Sequence, residues 1–245
     1  MFKAMKIPRK LGLSFLTICA TAAIVMLVFF TSISSIRGAT DQNNLSQSIH
    51  AKALALETAL LRQNSQFRGF LVTADESYLK SYNEGRDDYD KTSAELEEIL
   101  VDPKQEEALL KSREETLAWR KNWGDRLIEK VKAGQRDAAE ADVRAAGKAV
   151  LTSAAVLPLR EIKEAQTKLI EENGASQETA LKTALVVLVI GAIALIGISI
   201  TLAMLLTRMI ARPVSGLTRT MADLAAGKND IAVPDTDRGD ELGDM

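Results

Sequence analysis

Charged residues vanish from this chain twice, and the two gaps limit its fold more than any other feature. No Asp, Glu, Lys or Arg occurs in the 26 positions between Lys10 and Arg37, or in the 25 between Lys182 and Arg208. A bilayer core about 30 Å thick is crossed by roughly 20 helical residues, so each gap is long enough to span one. The second gap is apolar almost throughout. The first could instead be a cleaved signal peptide, because Lys3, Lys6, Arg9 and Lys10 form a charged leader and small residues follow from Cys19 to Ala23. Its apolar run continues to Phe30, however, past the roughly 7–15 residues of a signal peptide's apolar region. Ile18 before Cys19 also argues against lipoprotein processing, which wants a small residue there. We read the segment as an uncleaved anchor, with Cys19 a small apolar residue in the membrane.

Flanking cations set the expected orientation. Four Lys or Arg precede the first span, and Arg208 and Arg212 follow the second. Cytoplasmic loops carry the excess of Lys and Arg. The organisation expected is a cytoplasmic N-terminus over 1–10, a first span over 11–36, a periplasmic segment over 37–182, a second span over 183–207 and a cytoplasmic segment over 208–245. The natural setting is a bacterial inner membrane, crossed twice.

The middle segment holds 22 Lys and Arg against 26 Asp and Glu. Whole-chain net charge is −2, which supplies no electrostatic reason to expect nucleic acid as a partner. One Cys excludes an intrachain disulfide and a Cys-based metal cage, and one His excludes a multi-His site. No cofactor is expected. Few aromatics and few Gly and Pro favour long helices.

Apolar periodicity in the middle segment reads as four helices. Leu45, Ile49, Ala53, Leu56, Leu60, Phe67 and Leu71 share one face of the first, which ends near Thr73. Thr73 or Asp75 is placed to cap the second, over about 76–100, where Tyr82, Tyr89 and Leu96 recur every seven residues. Pro103 suits the first turn of a third helix, carrying Leu109, Thr116, Trp119, Trp123, Leu127 and Val131 and stopping at Ala133-Gly134. A fourth begins near Asp137 and runs into the second span, with Pro158 expected to kink or break it. The fold class expected is all-α: a membrane-anchored up-down-up-down four-helix bundle with two transmembrane helices and a partial coiled coil beyond them.

The stretch from Phe67 to Leu79, FRGFLVTADESYL, followed by Tyr82 and a charged helix ending Leu96-Glu97-Glu98-Ile99-Leu100, resembles the CHASE3 extracellular sensory domain. The layout also resembles the four-helix-bundle sensor of bacterial chemoreceptors. After the second span, Ile210, Val214, Leu217, Met221 and Leu224 are spaced 4, 3, 4, 3, a coiled-coil seam. Pro213 stands at its start, Gly227 ends the helix, Ile231 and Val233 follow in a short connector, and Asp240-Glu241-Leu242-Gly243 opens a new segment. This order resembles a HAMP domain, a signal converter built as a parallel dimer. The chain stops where the second HAMP helix should begin, which suggests a fragment whose output domain lies further on.

These resemblances, with Lys6-Ile7-Pro8-Arg9-Lys10-Leu11 entering the first span, imply a methyl-accepting chemotaxis protein. Such a receptor senses a periplasmic stimulus and relays it through the second span and HAMP to a cytoplasmic kinase with its coupling protein. The alternatives are the sensor part of a membrane histidine kinase and a purely structural tether. A homodimer is expected, with higher receptor clusters beyond it; the ligand, a small molecule or a periplasmic protein, is left open. The expected relay residues are Pro213, Val214, Leu217, Met221, Leu224 and Glu241. Candidate ligand contacts are Arg62 and Arg68, since receptors of this plan hold anions with arginines of the first helix, and Trp119 and Trp123. The competing readings are an ion pair of the arginines with Glu57, Asp75 or Glu76, and a core role for the tryptophans; the residues favour both. The chain is not expected to be an enzyme. Its carboxylates sit in solvated helical runs, His50 has no partner in sequence, and no phosphate-binding Gly loop occurs.

Overall fold

The structure, a computed structural model, describes residues 5–228 and 238–243. Among the described residues there is no strand. The chain divides into two compact units, residues 37–177 and residues 1–36 with 178–245.

The first unit is an up-down-up-down four-helix bundle. Helix α1 (Ile7–Thr73) enters it and ends at a tight turn. There the Thr73 hydroxyl accepts from the Asp75 amide, and the Asp75 carboxylate accepts from the Ser77 amide to start α2 (Ser77–Glu97). Asp102 caps α3 (Pro103–Trp119) through the Lys104 amide, with Pro103 in the first turn as expected. The third bundle helix then continues through a π-helical turn (Arg120–Gly124) into α4 (Asp125–Lys132).

The fourth bundle helix departs from the sequence expectation. It is broken at Gly147, between α5 (Arg136–Ala146) and α6 (Ser153–Leu206), and not at Pro158. Gly147 has φ +56°, a left-handed conformation open to glycine without strain, and a short 3₁₀ turn follows. Pro158 is carried inside α6 near its start, where one backbone bond is lost.

Two apolar clusters hold the bundle together. One joins Leu56 and Leu60 of α1, Tyr89 and Leu96 of α2, Leu109 of α3, and Leu159 and Ile162 of α6. The other joins Phe67 and Phe70 of α1, Tyr82 of α2, Trp119, Leu127 and Val131 of the third helix, and Ala139 of α5. The seven-residue recurrence of Tyr82, Tyr89 and Leu96 thus marks a buried stripe, all three at most 2% exposed. Glu57 ties α1 to α6, accepting from Arg160 at 2.9 Å and Lys163 at 2.6 Å. Burial pushes its carboxyl upward, but those two cations outweigh it and the net shift is downward.

In the second unit, α1 and α6 each contain a stretch long and apolar enough to cross a membrane. A soluble core helix would pass the same length test, but its apolar window would be buried; here 6% of each window is. Hydroxyls in these stretches turn back onto their own helix. Thr17 donates to the Leu13 carbonyl, Thr21 to Thr17, Ser199 to Leu195 and Thr201 to Gly197. Such internal bonding is what a polar group needs where no water is available. Beyond α6 a second π-helical turn (Thr207–Ala211) leads into α7 (Arg212–Ala225), with Pro213 in its first turn and Gly227 at φ +87° just past its end.

Candidate functional site

Between the two apolar clusters along α1 stands Gln63, fully buried, and it belongs to a polar layer centred on Arg120. The Arg120 guanidinium donates to Gln63 at 3.0 Å, to both Asp90 oxygens at 2.8 and 3.1 Å and to the Arg86 carbonyl at 3.3 Å, and lies over the Tyr89 ring at 5.4 Å. Gln63 in turn donates to the Gly85 carbonyl at 3.0 Å. Beside this layer, Tyr82 and Arg86 converge on Asp125, at 3.3 and 3.0 Å. Burial, reinforced by Asp125, drives the Tyr82 phenol far above its ordinary pKa, so it stays a neutral donor. Gly124 is required here: a Cβ would lie 2.6 Å from the Tyr82 hydroxyl. Neither Gln63 nor Arg120 was singled out from the sequence. The signal was there, since Gln63 occupies a core position in the 4-3-4 run Leu56, Leu60, Gln63, Phe67.

The four expected ligand contacts fall in three places. Arg62 bonds to Ser81 at 3.0 Å and pairs with Glu84 and Asp88 of α2. It is held in an ion pair as the competing reading has it, but with other carboxylates than those named, because Glu57 is taken by α6. Arg68 lies on the exposed face of α1, makes no hydrogen bond or ion pair among the described residues, and lines a shallow cleft of about 510 Å³ with Asn64, Ser65, Thr73 and Tyr78. Trp119 is core: it packs edge-on against Phe67 at 5.5 Å and donates to the Val150 carbonyl at 2.8 Å. Trp123 is partly buried, and the two tryptophans line one small cavity together.

The expected relay residues lie in the other unit. Pro213 carries no N–H, so the Met209 carbonyl, four residues earlier, loses its α-helical donor. The Arg238 guanidinium donates to that carbonyl at 2.8 Å. Arg238 also grips Asp240 with two bonds, at 3.0 and 2.8 Å, and Asp240 pairs with Lys10. Glu241 accepts from the Ile7 amide at 2.8 Å, capping the first turn of α1. A clasp of three side chains therefore joins the start of α1 to the π-helical turn after α6. The Arg238 guanidinium, with Lys10, holds the Asp240 carboxyl well below the usual range although burial opposes it. Of the seam, Val214, Met221 and Leu224 are exposed and Leu217 is partly buried in the single chain. Arg219 borders the same groove as Val214. The connector residues Ile231 and Val233 lie outside the described residues. Among the described residues no cluster of His, Cys, Asp and Glu could hold a metal ion.

No curated protein and no solved structure matches the chain. The CHASE3 domain family matches residues 39–176, which is the four-helix bundle and more than half of the chain. CHASE3 domains are extracytoplasmic sensor domains of signalling receptors. Between the two sensor families that the sequence resembles, the match decides for one: the chain belongs to the CHASE3-domain family.

Proposed function

We propose that the chain is the sensing and membrane-crossing part of a parallel homodimeric receptor, with residues 37–182 in the periplasm and both termini in the cytoplasm. The observation that carries this reading is continuity. Helices α1 and α6 each run unbroken from the sensor bundle into an apolar stretch of membrane-spanning length. A small shift, tilt or rotation imposed on α6 in the bundle has no loop in which to dissipate before the π-helical turn at Thr207.

The outer face of α1 supports the dimer. Gln47, Ala51, Leu54, Thr58, Leu61, Ser65, Arg68 and Val72 follow a strict 4-3-4-3 spacing, and all eight are exposed. That is the period of a helix pair winding around each other. A second copy of α1 would cover Leu54 and Leu61 and bring two Arg68 cations together at the distal end. An anion held between them would relieve their repulsion. The seam of α7, exposed in one chain, calls for a second copy in the same way, as a HAMP-like converter does.

The finer reading is a chemoreceptor whose output domain controls a cytoplasmic kinase through a coupling protein. The segment after the second span and the basic stretch before the first support it. A sensor histidine kinase is the alternative.

Topology is tested with a reporter active only outside the cytoplasm. Fused after Ser112 it should be active, and after Gly227 silent; the reverse pattern overturns the orientation. For the dimer, Cys19 is replaced and single cysteines are placed along residues 47–72. Disulfide cross-linking should peak at the eight seam positions, with a period near 3.5 residues. A profile without that period removes the seam.

A further inference from the structure

The chain has two tryptophans, and both line one cavity of about 130 Å³ in the bundle. Glu115 and Trp119 come from α3, Asn122 and Trp123 from the π-helical turn, and Thr152 from the start of the last helix; alanines fill much of the remaining wall. The π-helical turn matters here. Single π turns inside α-helices recur at functional sites, and this one carries two of the lining side chains.

Three lining groups have unused bonding capacity. The Glu115 carboxylate, the Asn122 side-chain amide and the Trp123 indole N–H make no hydrogen bond or ion pair among the described residues. Glu115 is also only partly exposed. Its charge is the only one in the cavity wall, which disfavours an anion. Trp119 is a fixed wall, held by Phe67 and the Val150 carbonyl. Trp123 already acts as a cation platform, with the Arg126 guanidinium 5.3 Å over its ring. Arg126 does not line the cavity, and Asp142 balances its charge at 3.3 Å. A carboxylate and aromatic side chains sharing one cavity wall are the groups that recognise organic ammonium ions, by a charge-assisted hydrogen bond and cation–π attraction.

Size narrows the class. The cavity has room for about four waters at roughly 30 Å³ each, which suits a compact group of about four heavy atoms. We propose that this cavity is a binding site for a compact organic ammonium ion, with Glu115 holding the ammonium group and Trp119 and Trp123 walling its hydrocarbon part. The site is separate from the Arg68 face. Its binding chemistry stands apart from the receptor reading; only its effect on signalling rests on that reading.

Because both tryptophans line the cavity, tryptophan-selective fluorescence reports on this place alone. The full chain in detergent micelles is titrated with ethanolammonium chloride at constant ionic strength, with calorimetry in parallel. A saturable response is expected, and none with ethylene glycol, which has the same number of heavy atoms and no charge. Glu115→Gln should weaken binding about tenfold or more, while Glu114→Gln, on the neighbouring exposed residue, should leave it unchanged. Circular dichroism checks that both variants keep their helices, and Trp123→Leu provides a second loss of affinity read by calorimetry. No saturable binding, an equal response to ethylene glycol, binding of acetate instead, or full affinity in folded Glu115→Gln overturns the site. Binding lost in Glu115→Gln stands as a result even where the topology reporter refutes the receptor orientation, so the two failures are read separately.

Discussion

Replacing Arg120 with alanine should lower the stability of the bundle by about 2–5 kcal/mol, seen as a fall of roughly 10 °C in melting temperature. The reason is the asymmetry of its ion pair. The Arg120 side chain is 3% exposed and that of its partner Asp90 is 56% exposed. Removing the arginine strips Gln63 of a donor inside the core and opens a void against Tyr89. Removing Asp90 instead strands the buried Arg120 cation without its counter-charge, so Asp90→Ala should cost a comparable amount, about 3–5 kcal/mol. Arg120→Met keeps the stem packing and leaves no buried charge, so it should cost least of the three. The measurement is a thermal melt of the full chain in micelles followed by tryptophan fluorescence, since Trp119 adjoins Arg120. An Arg120→Ala melt within a degree or two of the parent would show that the polar layer does not hold the two apolar clusters together.

Replacing Asp240 with alanine should lock the receptor in one signalling state. Asp240 is wholly buried and serves two cations, Lys10 and Arg238. Deleting the shared carboxylate removes a charge-assisted hydrogen bond from each of the two cations, each worth about 1.5–3 kcal/mol. Coupling between distant sites in a protein is typically about 1–3 kcal/mol. The clasp is therefore strong enough to override any stimulus if it exists in one signalling state and not in the other. Its carboxyl is held below the usual range, so its stabilisation is complete above the unfolded carboxylate pKa. It is lost only as pH falls through the lowered value, and it is fully present near neutral pH. The test is stimulus-dependent output, or stimulus-dependent cross-linking across α7, in the complete receptor. A wild-type response in Asp240→Ala would remove the clasp from the relay.

Some of the candidate sites could be read directly from residues and some could not. The tryptophan pair was legible because Trp119 and Trp123 lie about one helical turn apart, and the apolar spacing after the second span because it runs along one helix. Arg62 was legible as a cation on the right helix, but its partners Glu84 and Asp88 depend on how α2 packs against α1. The clasp was half visible. Glu241 stood out in its Asp-Glu-Leu-Gly context, while its acceptor role toward the Ile7 amide spans more than two hundred residues of chain.

Sequence alone determined the elements whose cause is local. Absence of charge over a membrane's thickness marks the two apolar stretches, since a charged side chain there is expensive. A seven-residue recurrence places Tyr82, Tyr89 and Leu96 on one buried face. Pro103 after Asp102 starts a helix through fixed φ and a capping carboxylate. Tertiary structure decided what depends on competition between distant groups. Glycine at 147, not proline at 158, breaks the fourth helix, because a left-handed turn is needed where α5 ends and Pro158 costs only one bond near a helix start. Apolar periodicity already places Leu127 and Val131 on the core face, but it does not mark the π-helical turn at Arg120–Gly124, where Arg120 reaches Gln63 and Asp90. No periodicity encodes that extra residue, because its cost is repaid only by side chains on α1 and α2.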